Sequence, residues 1–99
     1  MIESKQIERP KLVLIVDDLE INRDALGIVL EDDYNLIYAE NGKEALDLMY
    51  RYADDLSIIL LDLNMPVMSG YEVAEHMRDD DRISHIPFIV LIPRTVDKE

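Results

Sequence analysis

The sequence predicts an α/β fold, a doubly wound parallel sheet with helices on both faces, and three observations predict it. The chain holds short apolar runs, Lys11–Val16 (apolar from Leu12), Ile58–Leu61 and Phe88–Ile92. Runs that do not alternate with polar residues fit strands covered on both faces. Stretches with apolar residues at helical spacing separate the strands, giving βαβαβαβ, the pattern of a parallel sheet. Two runs end abruptly on carboxylates, Asp17-Asp18 and Asp62. The carboxyl ends of such strands are where open α/β sheets place their ligand sites.

Met1 to Pro10 is polar, with isolated Ile2 and Ile7, and reads as an N-terminal arm; the domain proper is expected over 11–99. Lys11–Val16 is the first buried strand. Glu20 to Glu31 follows as a helix, with an apolar stripe of Ile21, Ala25, Ile28 and Val29 flanked by Leu26 and Leu30. Asp18 is the expected N-cap, and Glu20 suits the first turn. Gly27 costs this helix up to about 1 kcal/mol relative to alanine. Tyr34–Ala39 is a second strand, less apolar and so nearer an edge. Asn41-Gly42 signals a turn, and Gly42–Tyr52 carries Ala45, Leu46, Met49 and Tyr50 on one helical face. Ile58–Leu61 is the third strand, ending on Asp62. Asn64-Met65-Pro66 and Ser69-Gly70 then turn the chain away. Tyr71–Arg78 is a third helix with Val73, Ala74 and Met77 inward. Asp79-Asp80-Asp81 is a solvated turn. Phe88–Ile92 is the fourth strand, stopped by Pro93; Arg94–Glu99 is polar.

Right-handed crossovers leave few ways to wind this order. A flavodoxin-like arrangement, 2-1-3, sets the first and third strands side by side. Asp17, Asp18 and Asp62 then converge on one crevice.

The totals exclude several functions. Ninety-nine residues make one domain with one modest core. With no cysteine there is no disulfide, thiolate metal site or cysteine nucleophile. A net charge of −12 repels phosphate backbones, so direct nucleic-acid binding is not expected, and a basic partner or a bound cation is favoured. No apolar run reaches membrane-spanning length, and Met1–Arg9 is too polar for a signal peptide; no membrane association is expected, and the cytoplasm is the expected compartment.

Three converging carboxylates repel one another. Either one keeps a proton or a cation binds. Mg²⁺ suits a small oxygen set completed by water, and the backbone carbonyl of Asn64, two residues past Asp62, is a further oxygen within reach. A carboxylate beside Mg²⁺ can attack a phosphoryl group, forming an acyl phosphate that hydrolysis removes.

Val16-Asp17-Asp18, Leu60-Leu61-Asp62-Leu63-Asn64-Met65-Pro66, Met68-Ser69-Gly70 and the Ala39–Leu46 segment (A-E-N-G-K-E-A-L) together resemble the receiver domain of two-component response regulators. The resemblance covers roughly Lys11 to Ile92. It implies a phosphorelay module in which Asp62 accepts phosphate from a histidine kinase or histidine phosphotransfer protein. It implies Mg²⁺ held by Asp18 directly, Asp17 largely through water, Asp62, and the Asn64 carbonyl. It also implies no enzyme activity beyond self-phosphorylation and dephosphorylation. The Glu20–Arg23 stretch is similar to receivers attached to hybrid histidine kinases.

The sequence departs from the family pattern at two places. Ile92 and Pro93 stand where receivers carry a Thr or Ser, whose hydroxyl binds the phosphoryl group, and then a small residue. The fifth strand with its lysine and the fifth helix are not in this sequence, and Lys98 lies in the wrong region to replace that lysine. The fourth strand is then expected as an apolar edge, open to pairing with another chain in a homodimer or by exchanged segments, unless the sequence is a piece of a longer protein.

Two alternatives remain. A degenerate receiver would act by phosphorylation-independent protein contact or dimerisation. A Mg²⁺-dependent phosphatase would need a second acid two residues after its nucleophile, where Asn64 stands. His76 and His85 lack partners at metal-ligand spacing. The methionines read as core filling and turn packing, with Met65 and Met68 flanking the site.

Overall fold

The computed structural model describes residues 11–92. The elements run β1 (Lys11–Val16), α1 (Glu20–Leu30), β2 (Tyr34–Ala39), α2 (Gly42–Arg51), β3 (Leu56–Asp62), α3 (Gly70–Asp79) and β4 (Phe88–Leu91). The expected arm at 1–10 and the tail from Pro93 onward lie outside the described residues. The four strands form one parallel sheet in the order β2-β1-β3-β4, so the expected 2-1-3 arrangement holds, with β2 at an edge.

Register assigns the faces. Leu14 pairs with Ile59 and Val16 with Leu61, and all four side chains point to the side covered by α2 and α3. There they are fully buried with Ala45, Met49, Val73 and Met77. Each large apolar side chain buried this way contributes about 1.5–3 kcal/mol relative to exposure. Ile83 and Ile86, in the segment between α3 and β4, close the same core. Met65 and Met68 pack half-buried against it, as expected.

The opposite face is covered differently. Val13 pairs with Ile58 and Ile15 with Leu60, and Ile89 of β4 pairs with Leu60 on that side. α1 lies over β1 and β2. Ile58 and Leu60 stay half-buried and Ile89 is 51% exposed.

Several expectations are corrected. The α1 stripe of Ile21, Ala25, Ile28 and Val29 does not face the sheet; Ile21, Ile28 and Val29 are 74, 72 and 71% exposed. The helix instead turns Arg23, Leu26, Gly27 and Leu30 inward, nearly the opposite side of the wheel. Gly27, the one buried residue of the helix, packs over β2, where a Cβ would lie 2.6 Å from the hydroxyl at the end of the half-exposed Tyr38 side chain. The N-cap of α1 is Leu19 without a side-chain bond, not Asp18, because the Asp17 carboxylate takes the Leu19 N–H. On α2, Tyr50 is exposed; its hydroxyl donates to Asp80 Oδ2 at 2.7 Å and Arg82 stacks over its ring. Asp80 accordingly bonds to Tyr50 and Arg82, and these bonds hold its carboxyl well below the usual range. His85 Nε2 lies 3.0 Å from the Ala53 carbonyl oxygen, a structural role. β4 ends one residue early, leaving Ile92 beyond the strand. No helix among the described residues is long and apolar enough to cross a membrane.

Candidate functional site

The two acidic strand ends meet because β1 and β3 are neighbours. Val16 pairs with Leu61, so the residues after them, Asp17 just past β1 and Asp62 at the last position of β3, stand side by side. Oxygens of Asp17, Asp18 and Asp62 all lie within 4.8 Å of one another. Asp17 and Asp62 are 5 and 7% exposed, and Asp18 is half-buried. All three line a cleft of about 510 Å³, together with Leu19, Asn22, Asn64, Leu91 and Ile92 among others. The four residues expected from sequence thus share one cavity.

Asp17 and Asp62 are each set by their local chain. The Asp17 N–H donates to the Ala39 carbonyl at 3.1 Å, fixing the end of β1 to β2. The Asp17 carboxylate accepts from Leu19 N–H at 3.0 Å and from Asn22 Nδ2, 3.2 Å from Oδ2. Arg23 Nη1 donates to the Asp17 carbonyl at 2.7 Å, tying the first turn of α1 to the strand end. Asp62 Oδ1 accepts from Asn64 N–H at 3.2 Å.

The Met68-Ser69-Gly70 segment brings α3 back against β3. Ser69 caps α3 in a capping box with Glu72. The Gly70 N–H donates to the Leu63 carbonyl at 3.0 Å. Any Cβ at Gly70 would overlap the Asp62 carbonyl oxygen and the Leu63 backbone, so only glycine permits this approach. Between them Met68 N–H donates to the Pro66 carbonyl at 2.7 Å, with Val67 at φ 69°. A positive φ is strained for a β-branched residue, and such strain collects beside functional sites.

Burial is the largest influence on Asp62 and pushes its carboxyl above the usual range; the Asn64 N–H pulls the other way, and the charges of Asp17 and Asp18 raise it further. The site therefore disfavours three simultaneous negative charges. The donors are all carboxylate oxygens, the chemistry preferred by a hard cation such as Mg²⁺. Ile92 lies at the cleft, 74% exposed, and presents no hydroxyl there.

Sequence reasoning missed Asn22, Arg23 and Leu91. Asn22 carried one signal, its place one turn into a helix that starts beside Asp18.

Comparisons with known proteins agree. Residues 13–98 match the family described as response regulator receiver domain. The chain is 42% identical over 83 residues to the polar-differentiation response regulator DivK of Brucella anthropi, covering 83% of this chain and 66% of that one. It is 33% identical to the probable transcriptional regulator ycf29 of Pyropia yezoensis, covering 90% of this chain and 39% of that one. The chain thus spans about two thirds or less of the length of these two relatives. Among solved structures, a response regulator receiver protein from Pseudomonas putida matches with TM-score 0.77 at 28% identity, covering 91% of this chain and 74% of that one. The response regulator TrrA from Thermotoga maritima, in complex with Mg(2+)-BeF, matches with TM-score 0.71 at 35% identity, covering 83% and 69%. With the sheet order, the acid cluster and these matches together, the chain belongs to the response regulator receiver domain family.

Proposed function

We propose that this chain is a phosphoacceptor signalling module in which Asp62 takes a phosphoryl group from a phosphohistidine of a kinase or phosphotransfer protein. The observation that carries the reading is the convergence of Asp17, Asp18 and Asp62 in one cleft at the carboxyl ends of β1 and β3. Asp18, Asp17, Asp62 and the Asn64 carbonyl are the residues proposed to hold Mg²⁺. When bound, that ion would offset charge on the phosphoryl oxygens. An Asp62 carboxylate oxygen attacks phosphorus; the new P–O bond forms as the P–N bond to the donor imidazole breaks, and the imidazole leaves neutral after taking a proton. Water later cleaves the acyl phosphate and restores Asp62.

The donor protein must reach the cleft mouth. Ala25 lines the cleft, and Ile21 and Ile28 continue its face outward along α1 as exposed apolar side chains. We assign this stripe as the landing surface for the donor.

Intact mass after incubation with Mg²⁺ and a small acyl phosphate tests the reading. The parent should gain one phosphate, and Asp62→Ala and chelator-treated parent should gain none. A folded parent that gains nothing would contradict it.

A second reading, a receiver acting through phosphorylation-independent contact, is favoured by Ile92, which presents no hydroxyl at the cleft. The same failed mass gain, with a defined oligomer in solution, would support it.

A further inference from the structure

We propose that Asn22 is a positioning residue for the cation site, holding the Asp17 carboxylate in its metal-ready orientation. The inference rests on the phosphoacceptor reading above and deepens it. Asn22 Nδ2 lies 3.2 Å from Asp17 Oδ2 and 3.4 Å from Oδ1, so one amide spans both oxygens. A carboxylate only accepts, so the donor end of the amide must face it. Leu19 N–H fixes Oδ1 from the other side at 3.0 Å. Asp62 Oδ1 is met by the Asn64 main-chain N–H. Among the described residues, Asn22 is the one side chain that hydrogen-bonds the carboxylate of any of the three acids; Arg23 reaches only the Asp17 main-chain carbonyl.

The need for such a hold follows from the charge. Three carboxylates with oxygens within 4.8 Å repel one another, and without the amide the Leu19 N–H alone would hold the Asp17 carboxylate against that repulsion. An amide donor offsets part of the charge and fixes the rotamer without adding charge of its own. Groups that orient metal ligands in this way are worth a large share of affinity.

Asn22 has little structural role to confound the test. It is exposed, in the first turn of α1, where alanine is the better helix former. Mg²⁺ affinity of the full 99-residue chain is measured by calorimetry for the parent, Asn22→Ala and Asp18→Ala, with melting of each metal-free protein alongside. Asn22→Ala is expected to bind Mg²⁺ about tenfold more weakly, the scale of second-sphere substitutions, with an unchanged or raised metal-free melting temperature. Equal or tighter binding by Asn22→Ala, while Asp18→Ala loses it, overturns the positioning role and leaves the phosphoacceptor reading standing. Weaker binding accompanied by a lower melting temperature of the metal-free protein also overturns it, since the residue would then be structural. A folded parent that binds no Mg²⁺ overturns both.

Discussion

Asp62 carries its charge at a cost set by its surroundings. Burial first, then the charges of Asp17 and Asp18, raise its folded pKa above the unfolded value despite the Asn64 N–H. The native state therefore holds the Asp62 proton more tightly than the unfolded chain does. Stability falls as pH rises from the unfolded pKa through the folded one, and the full penalty stands above that window. Asp62→Asn, with the same shape and no charge, should stabilise the chelator-treated protein at pH 7. The gain should vanish at low pH, where the acid is neutral in both states; thermal melting at the two pH values checks this. The acids were legible because each ends an apolar run, a pattern that survives without any tertiary information. Asn22 was not, since a polar side chain in a helix's first turn looks solvated until the strand end beside it is placed. The positive φ of Val67 has no signature in its residue type, which argues against it.

At the scale of elements, the approach of α3 to β3 depends on Gly70. Alanine there would meet main chain rather than a movable side chain, so Gly70→Ala should destabilise the fold by about 2–3 kcal/mol. Denaturant unfolding measures it, and a cost below 0.5 kcal/mol, within the scatter of ordinary surface changes, would contradict the packing argument. α1 offers a functional test. Ile28→Asp places a charge on the exposed stripe 72% open to solvent, away from the core. It should slow phosphate transfer from a phosphohistidine protein at least tenfold while leaving reaction with a small acyl phosphate unchanged. Loss of both activities would contradict a docking role. Strands β1 and β2 were read to the residue, because their limits coincide with composition changes. The phase of α1 was read wrongly. Two stripes on it have helical spacing, and the larger residues marked the solvent side. The inward side, with Gly27 against Tyr38 of β2, is settled by packing between elements, which spacing within one element does not encode.

In the whole molecule, the two faces of the sheet differ. α2 and α3 bury one; on the other, α1 lies over β1 and β2, and a groove of about 570 Å³ runs past Ile58, Leu60 and Ile89. Phe88, 39% exposed, and Ile89, 51% exposed, belong to β4, an edge strand among the described residues. Apolar edges of this kind recruit further strands. The 99-residue chain is expected to self-associate through β4, with light scattering reporting a mass above the monomer that falls on Ile89→Lys. A monomer at high concentration would contradict this. The 2-1-3 part of the strand order was legible because right-handed crossovers leave few windings, and the flavodoxin-like one sets the two acid-ended strands side by side. How each face is covered was not, because helix phase decides it.

The central claim, that Asp62 becomes an acyl phosphate, is tested most directly by trapping. After reaction with Mg²⁺ and a small acyl phosphate, borohydride reduces an aspartyl phosphate to homoserine at the position that carried it. Peptide mass spectrometry should then find homoserine at position 62 and nowhere else among the acids. Aspartate unchanged at 62, or homoserine at 17 or 18, would contradict the account.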